Sequence, residues 1–236
     1  KNHVIIQYLM NEKKIIGFPQ KINDQNIKII NKTKINNYYI KNFENFRETI
    51  IKNIFSADEV LDVGKSMRGY FNKINSKNIT TLDVNEFEDY PDVMFDLCDE
   101  LPESFYNKYD KIVCIAILEH VYNPFKAIDN LKKMLKEQGT IFGYVPYLYK
   151  YHAPNNLKFQ DYFRFSKDAL AYLFKDFNEV ELFPVRGRIS APLNILIPNF
   201  LKKTLEKLKI NIFVDKLSSD RINSIQCSGY NFIVKK

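Results

Sequence analysis

Short apolar runs separated by polar turns recur along the middle of the chain, at 60–63, 79–83, 92–97, 109–121 and 140–146. Runs of this length that carry little polar alternation are typical of strands buried on both faces of a parallel sheet. A further run at 230–234 predicts a final strand.

Between and around these runs the apolar residues follow a helical spacing. Positions 43, 46, 50 and 54 predict a helix that leads into the first core strand, and 124–136 predicts another that Gln138 and Gly139 end. Ser166 is a good N-cap for a helix at 167–174. The segment 193–217 predicts one or two amphipathic helices interrupted by Pro198. Strands and helices that alternate in this way predict an α/β fold.

This pattern divides the chain into two parts. Residues 1–54 form an N-terminal extension and a cover helix, and irregular structure or short strands are expected for 1–40. Residues 55–236 form the main domain, which includes a helical insertion at 190–220. With 236 residues and 45% hydrophobic content the chain can bury one substantial core.

The first core strand carries an acid and leads directly into a glycine turn. Asp62 lies in the strand, Gly64 follows it, and Gly69 comes five positions later, so the backbone can turn sharply and approach a ligand. Asp83 ends the second strand, where a carboxylate suits the two hydroxyls of a ribose. A nucleoside cofactor is therefore expected, although Gly64 alone is equally compatible with an ordinary strand end.

The order of the motifs adds to this evidence. The fourth run contains LEHV at 118–121, and residues 135–146 read LKEQGTIFGYVP. Over residues 55–185 the chain resembles the class I S-adenosylmethionine-dependent methyltransferases, of the type encoded with polysaccharide and sugar biosynthesis enzymes. The resemblance implies a Rossmann-like α/β fold whose seven-stranded, mostly parallel sheet is flanked by helices. Ser66 stands where the family has a middle glycine, so its backbone is expected to adopt a conformation that glycine reaches more easily.

The resemblance also implies roles for residues at the strand ends. Gly64 would let the loop pass against the methionine part of S-adenosylmethionine, and Asp62 would orient that loop or the ammonium group. Asp83 would take the ribose hydroxyls. Asp96 would accept from the adenine amino group, with the backbone amide of Leu97 meeting a ring nitrogen.

The acceptor is expected beyond the fifth strand, where residues 152–166 resemble an H-x-P…D-Y-x-R-F-T/S stretch of the same family. His152 is the predicted general base, or else a loop histidine bonded to backbone. Arg164 would grip a substrate phosphate or pair with Asp161. His120 would line the site or contact substrate, and Tyr149 would offer a flat hydroxylated surface for a sugar.

Composition and charge narrow the class of protein. Lys and Arg number 35 against 28 acids, giving a net charge of +7, but the lysines are scattered, which favours a solvated surface over a nucleic-acid partner. Three separated cysteines indicate a reducing compartment rather than a disulfide framework. The sequence contains neither a signal peptide nor a stretch of 18 apolar residues, so a cytoplasmic protein is expected. The abundance of Lys, Asn and Ile suggests a bacterial genome rich in AT.

The expected activity is S-adenosylmethionine-dependent O-methylation of a sugar hydroxyl, where the sugar is nucleotide-linked, phosphorylated or part of a surface glycan. No metal site is expected, because the His and Asp residues lack a compact ligand spacing. The alternatives are methylation of a quinone or lipid headgroup and a cofactor-binding module without turnover. For the apolar face of 193–217, packing on the core or on a second subunit is favoured over contact with a membrane surface.

Overall fold

The computed structural model describes residues 28, 32–35, 43–67, 69–87, 89–154 and 158–236. The expectation for residues 1–40 can therefore be checked only at 28 and 32–35, and the rest of that segment lies outside the described residues. A short strand is present at Thr33–Ile35, in agreement with the expectation, whereas residues 28 and 32 are helical, which was not expected.

The described residues form eight strands in one sheet. They are β1 Thr33–Ile35, β2 Glu59–Val63, β3 Asn78–Asp83, β4 Val93–Met94, β5 Tyr109–Ile115, β6 Leu135–Pro146, β7 Glu179–Val185 and β8 Gly229–Lys235. Their spatial order is β1-β7-β8-β6-β5-β2-β3-β4, and all pairs are parallel except those that β8 makes with β6 and β7. This is the expected Rossmann-like, mostly parallel arrangement.

The predicted number of seven strands is too low by one. The additional strand, β1, comes from the N-terminal extension and pairs in parallel with β7, with Thr33 opposite Val180. The extension therefore contributes to the sheet itself, in addition to the helix that covers it.

The helices flank this sheet. They are α1 Phe43–Lys52, α2 Pro124–Met134, α3 Lys167–Leu173, α4 Ser190–Leu196, α5 Asn199–Lys207, α6 Ile210–Asp215 and α7 Asp220–Ile225, with 3₁₀ turns at Phe71–Lys73, Glu103–Phe105 and Leu118–His120. Ser166 caps α3 as predicted, because its side chain accepts from the Ala169 amide at 3.2 Å. The insertion contains more helices than the one or two expected.

Three predicted boundaries are wrong. The helix at 124–136 ends at Met134, because Leu135 already pairs with Tyr109 in the sheet and Gln138 takes a left-handed φ of 64°. The strand at 109–121 ends at Ile115, and a 3₁₀ turn follows at Leu118–His120. The predicted third strand at 92–97 is reduced to Val93–Met94.

Both faces of the central strands are buried, which explains their continuous apolar sequence. On one face α1 covers β2, β5 and β6 with a cluster that includes Phe46, Ile50, Val60, Val113 and Phe142. On the other face α2 and α3 cover the larger cluster, which contains Leu61, Ile112, Leu131, Leu170 and Phe232.

The insertion exposes large apolar side chains. The most exposed are Leu196, Phe200, Leu208, Phe213 and Leu217, each 64–77% accessible. Within the described part of the chain, no helix is both long enough and apolar enough to cross a bilayer.

Candidate functional site

The carboxyl ends of β2, β3 and β4 bring three of the predicted cofactor residues to one edge of the sheet. The strands are parallel neighbours, so Gly64 after β2, Asp83 at the end of β3 and Asp96 after β4 all lie at that edge. Ligands of open α/β sheets bind at this edge. Asp110 lies near the start of β5, at the opposite edge, where it accepts from the Glu59 amide at 2.9 Å and from Lys136 at 2.7 Å.

Gly64 has the backbone conformation that its position requires. Its φ is +64°, and its amide donates to the Leu82 carbonyl at 2.8 Å. A Cβ at this position would lie 2.2 Å from Cδ1 of Ile117, so a larger residue would be strained and would also clash. Asp62 is fully buried, and its carboxylate accepts from the Met67 amide at 3.1 Å, which holds the loop.

Ser66 occupies the middle glycine position without the strain that was expected. The left-handed residues among the described part of this loop are Gly64, Lys65 and Gly69, with φ of 64°, 54° and 77°, and Ser66 is not among them. The Ser66 hydroxyl donates to the Val63 carbonyl at 2.5 Å and accepts from the Ile115 amide at 2.8 Å. The side chain therefore joins the ends of β2 and β5, a role that no glycine could perform.

Asp83 is held in a fixed orientation at the end of β3. Its Oδ1 accepts from the Asn85 amide at 3.0 Å, and its Oδ2 accepts from the Tyr90 hydroxyl at 3.2 Å. Burial and then the charge of Asp83 raise the pKa of Tyr90, so the phenol stays neutral and acts as a donor. The Lys65 ammonium lies 4.4 Å from the centre of the Tyr90 ring. The Asp83 side chain is half-buried, which leaves it accessible to a ligand.

Asp96 and Leu97 lie in the turn after β4. Asp96 is half-buried and accepts from the Cys98 amide at 2.8 Å, while Leu97 is buried and its carbonyl accepts from Asn130 at 2.9 Å. The turn is thus fixed to α2. The roles of Asp96 and Leu97 toward an adenine remain predictions.

A second group of side chains forms where the chain leaves β5 and β6. The rings of His120 and His152 are 4.7 Å apart, and the Tyr149 ring is 5.5 Å from that of His152. The structure therefore brings His120, in the turn after β5, next to Tyr149 and His152, which share the loop after β6. Glu119 entered the sequence analysis only as part of the LEHV run, yet its buried carboxylate lies between the two imidazoles, 3.8 Å from Nε2 of His120 and 3.6 Å from Nε2 of His152.

Arg164 pairs with Asp161, which is one of its two predicted roles. The guanidinium forms a bidentate pair with the fully buried Asp161 carboxylate, with one contact at 2.6 Å. Its other N–H groups donate to the carbonyls of Tyr149, Lys150 and Phe163. All five donors are therefore used, and a substrate phosphate would have to displace one of these acceptors.

The ion pairs fix the charges around His152. Pairing with Arg164 lowers the pKa of Asp161 to about 2. The carboxylate of Glu119 and the charge of Asp161 raise the pKa of His152 above its usual value, although burial opposes this. Asp161 also accepts from the His152 amide at 2.9 Å, so it positions both the backbone and the ring of this residue.

Solved structures share the architecture. The Haemonchus contortus phosphoethanolamine N-methyltransferase 2, solved with phosphomonomethylethanolamine and S-adenosylhomocysteine, is 12% identical with a TM-score of 0.51, over 84% of this chain and 54% of that one. An S-adenosylmethionine-dependent methyltransferase from Archaeoglobus fulgidus is 16% identical with a TM-score of 0.48, over 97% and 99%. No protein-family model and no curated protein matches the sequence. The strand order and the similarity to the Haemonchus contortus structure show a Rossmann-like class I methyltransferase fold, and at this identity the likeness shows the fold alone.

Proposed function

We propose that the protein is an S-adenosylmethionine-dependent methyltransferase that acts on oxygen of a sugar, which is nucleotide-linked, phosphorylated or part of a surface glycan. The observation that carries the methyl-transfer proposal is the placement of Gly64, Asp83 and Asp96 at the carboxyl ends of three adjacent parallel strands. A fold alone supports many activities, whereas the positions of these residues favour methyl transfer.

The residues at this edge fit a nucleoside that carries no phosphate. Asp83 is oriented by two donors and remains accessible, which suits a ribose diol. The loop after β2 has no G-x-G-x-x-G phosphate cradle, and the sulfonium cofactor needs none. When bound, S-adenosylmethionine would supply an electrophilic methyl group.

The chain's own residues would hold and activate the acceptor next to this site. Tyr149, His120 and His152 line the neighbouring sheet edge, and alignment of two reactants lowers a barrier by roughly 7–11 kcal/mol. His152 was predicted to act as a base, and its contact with the buried Glu119 supports a role in activating a hydroxyl. Arg164 would then position the loop that carries Tyr149 and His152.

The cofactor proposal predicts that Asp83→Ala weakens S-adenosylmethionine binding, measured by calorimetry, by about tenfold to a hundredfold. This corresponds to roughly 1.5–3 kcal/mol for lost hydrogen bonds to a charged group. The matched control is Asp89→Ala, an exposed acid in the following loop, which should leave affinity unchanged. Unchanged affinity in a folded Asp83→Ala protein would mean that the ribose binds elsewhere.

Activity is tested by mass spectrometry of acceptors incubated with the protein and S-adenosylmethionine. The panel contains nucleotide-linked and phosphorylated sugars, a glycan fragment, a quinone and a phospholipid. A methylated sugar would support the proposal. His152→Ala should lower turnover by about 10²-fold or more with cofactor affinity retained. Cofactor binding with no product from any acceptor would favour a binding module without turnover.

A second acceptor class is favoured by one observation. The exposed Leu196, Phe200 and Phe213 of the insertion would suit contact with a lipid-like acceptor or a membrane surface. Methylation of the quinone or the phospholipid in the same panel, and of no sugar, would select this alternative.

A further inference from the structure

The carboxylate of Glu119 is buried with no hydrogen-bond donor among the described residues, and the imidazoles of His120 and His152 lie 3.8 and 3.6 Å from it. Glu119 is fully inaccessible to solvent, and neither of its carboxylate oxygens has a hydrogen-bond partner among the described residues. Burial of an ionised carboxylate is costly unless it is paired or coordinates a metal. An orphaned acid at a sheet edge therefore requires a positive group.

The two histidines present the same type of atom to this acid. Nδ1 of His120 lies 2.5 Å from the Gln160 carbonyl, and Nδ1 of His152 lies 3.1 Å from Oδ2 of Asp161. Because both partners are acceptors, each Nδ1 carries the proton. In the neutral rings each Nε2 therefore keeps its lone pair, and both face Oε1 of Glu119.

Three ligand atoms consequently converge on one point. The ligand atoms of Glu119, His120 and His152 all lie within 4.8 Å of one another. Oε1 of Glu119 is 3.8 Å from Nε2 of His120 and 3.6 Å from Nε2 of His152. Ligands about 2.0–2.1 Å from a tetrahedral ion lie about 3.4 Å apart, so small side-chain movements would complete the site.

We propose that Glu119, His120 and His152 bind a divalent first-row transition cation, with Zn²⁺ as the reference ion. Histidine ligands in metal sites almost always donate their second ring N–H to a carboxylate or a backbone carbonyl. Asp161 and Gln160 provide one of each. Two imidazoles and one carboxylate form a ligand set for Zn²⁺ or Fe²⁺, whereas Mg²⁺ and Ca²⁺ prefer oxygen ligands.

The site has access for a further ligand. The side chains of His120 and His152 are 13% and 25% exposed, so three protein ligands would leave a position open toward the sheet edge. An acceptor hydroxyl bound there would be more acidic than in water, and the ion would then activate it in place of the His152 imidazole. This consequence rests on the proposed function, whereas the metal site does not.

The test is a zinc titration of the full-length protein after treatment with a chelator, in competition with a chromogenic indicator. We expect one tightly bound equivalent, with Glu119→Gln and His152→Ala each weakening binding by at least about a hundredfold. Mg²⁺ should not compete. The control variants are Glu103→Gln, an exposed acid, and Cys98→Ser, a half-buried thiol, and both should bind Zn²⁺ as the wild type does.

Substitution with Co²⁺ gives a second measurement that does not depend on activity. A visible spectrum without thiolate charge-transfer bands, lost in Glu119→Gln, would support the site. Circular dichroism would verify that the isosteric Glu119→Gln protein is folded. Wild-type binding less than about tenfold tighter than that of Glu119→Gln would overturn the proposal, since a ligand loss costs more than this. The acid would then be compensated by protonated imidazoles alone. Because S-adenosylmethionine binding is measured separately, failure of either proposal would leave the other intact.

Discussion

Several polar side chains at the edge of this sheet form hydrogen bonds with the backbone of neighbouring loops and strand ends. Asp62 accepts from the Met67 amide, and Ser66 joins the ends of two strands. Asp161 holds the His152 amide and the Arg164 guanidinium. These groups fix the loops that carry the predicted binding residues, so their substitution is expected to change stability as well as binding.

Ser66→Ala is expected to destabilise the protein by about 1–3 kcal/mol, because it leaves the buried Ile115 amide and the Val63 carbonyl without the hydroxyl. Ser66→Gly should cost at least as much, even though it restores the glycine of the family motif. The free energy of unfolding in urea measures both. Ser56→Ala, at an exposed turn position, should stay within about 0.5 kcal/mol. An unchanged free energy of unfolding in Ser66→Ala would mean that water replaces the hydroxyl.

At this scale the sequence indicated which residues reach the site but not what each one touches. Strand ends could be predicted from apolar runs, which placed Gly64, Asp83 and Asp96 at one edge. The contact of His120 with His152 depends on how two loops fold back over the sheet, and these loops have no periodic pattern. The position of Glu119 between the rings followed from the 3₁₀ turn at Leu118–His120, which the apolar run had concealed.

At the scale of elements, local sequence patterns predicted whether a segment is a helix or a strand better than they predicted its first and last residues. The helix α2 ends at Met134 because Leu135 pairs with Tyr109 of β5 in the sheet. A tertiary pairing therefore overrides the helical spacing of the sequence. In the same way β1 could not be predicted as a sheet strand, because its strand partner among the described residues is β7, almost 150 residues away. Among its described residues the crossover from β2 to β3 contains only a 3₁₀ turn. Neither Gly64 nor Gly69 indicated this short turn.

A buried acid, Asp215, ties the insertion to the segment that follows β7. Asp215 at the end of α6 accepts from the amides of Gly187 and Ser190 at 2.7 and 2.9 Å and from the Ser190 hydroxyl at 2.5 Å. It thereby connects α6 to the segment that links β7 to α4. The insertion therefore has a fixed attachment even though much of its apolar surface is exposed.

Asp215→Ala is expected to destabilise the protein by about 2–4 kcal/mol, because several buried donors lose a charged acceptor together. Chemical denaturation measures the loss, and proteolysis should cut first within 187–217. Asp129→Ala is the control. It removes a half-exposed acid paired with Lys133 four residues later and should cost no more than about 0.5 kcal/mol. Equal effects of the two substitutions would mean that α6 is held by its apolar contacts instead.

Across the whole molecule, the strand order places two groups of residues side by side. The acids after β3 and β4 lie on one side of β2, and the histidine cluster after β5 and β6 lies on the other. The glycine turn after β2 is between them. This separation allows a nucleoside and an acceptor to occupy neighbouring positions, and it predicts that ligands at the two positions bind through different residues.

A ligand that binds only the folded protein stabilises all of it. S-adenosylhomocysteine at about 100 times its dissociation constant should add about 2.7 kcal/mol and raise Tm by about 5–11 °C for a chain of this size. At the same concentration Asp83→Ala, with affinity lower by about tenfold to a hundredfold, should gain only about 0.4–1.4 kcal/mol. Glu119→Gln should gain as much as the wild type, since its carboxylate lies at the other position.

Scanning calorimetry measures all three proteins, with adenosine triphosphate as a ligand that should give no shift. An equal shift in wild type and Asp83→Ala would contradict the ribose site, and a reduced shift in Glu119→Gln would mean that the two positions are one.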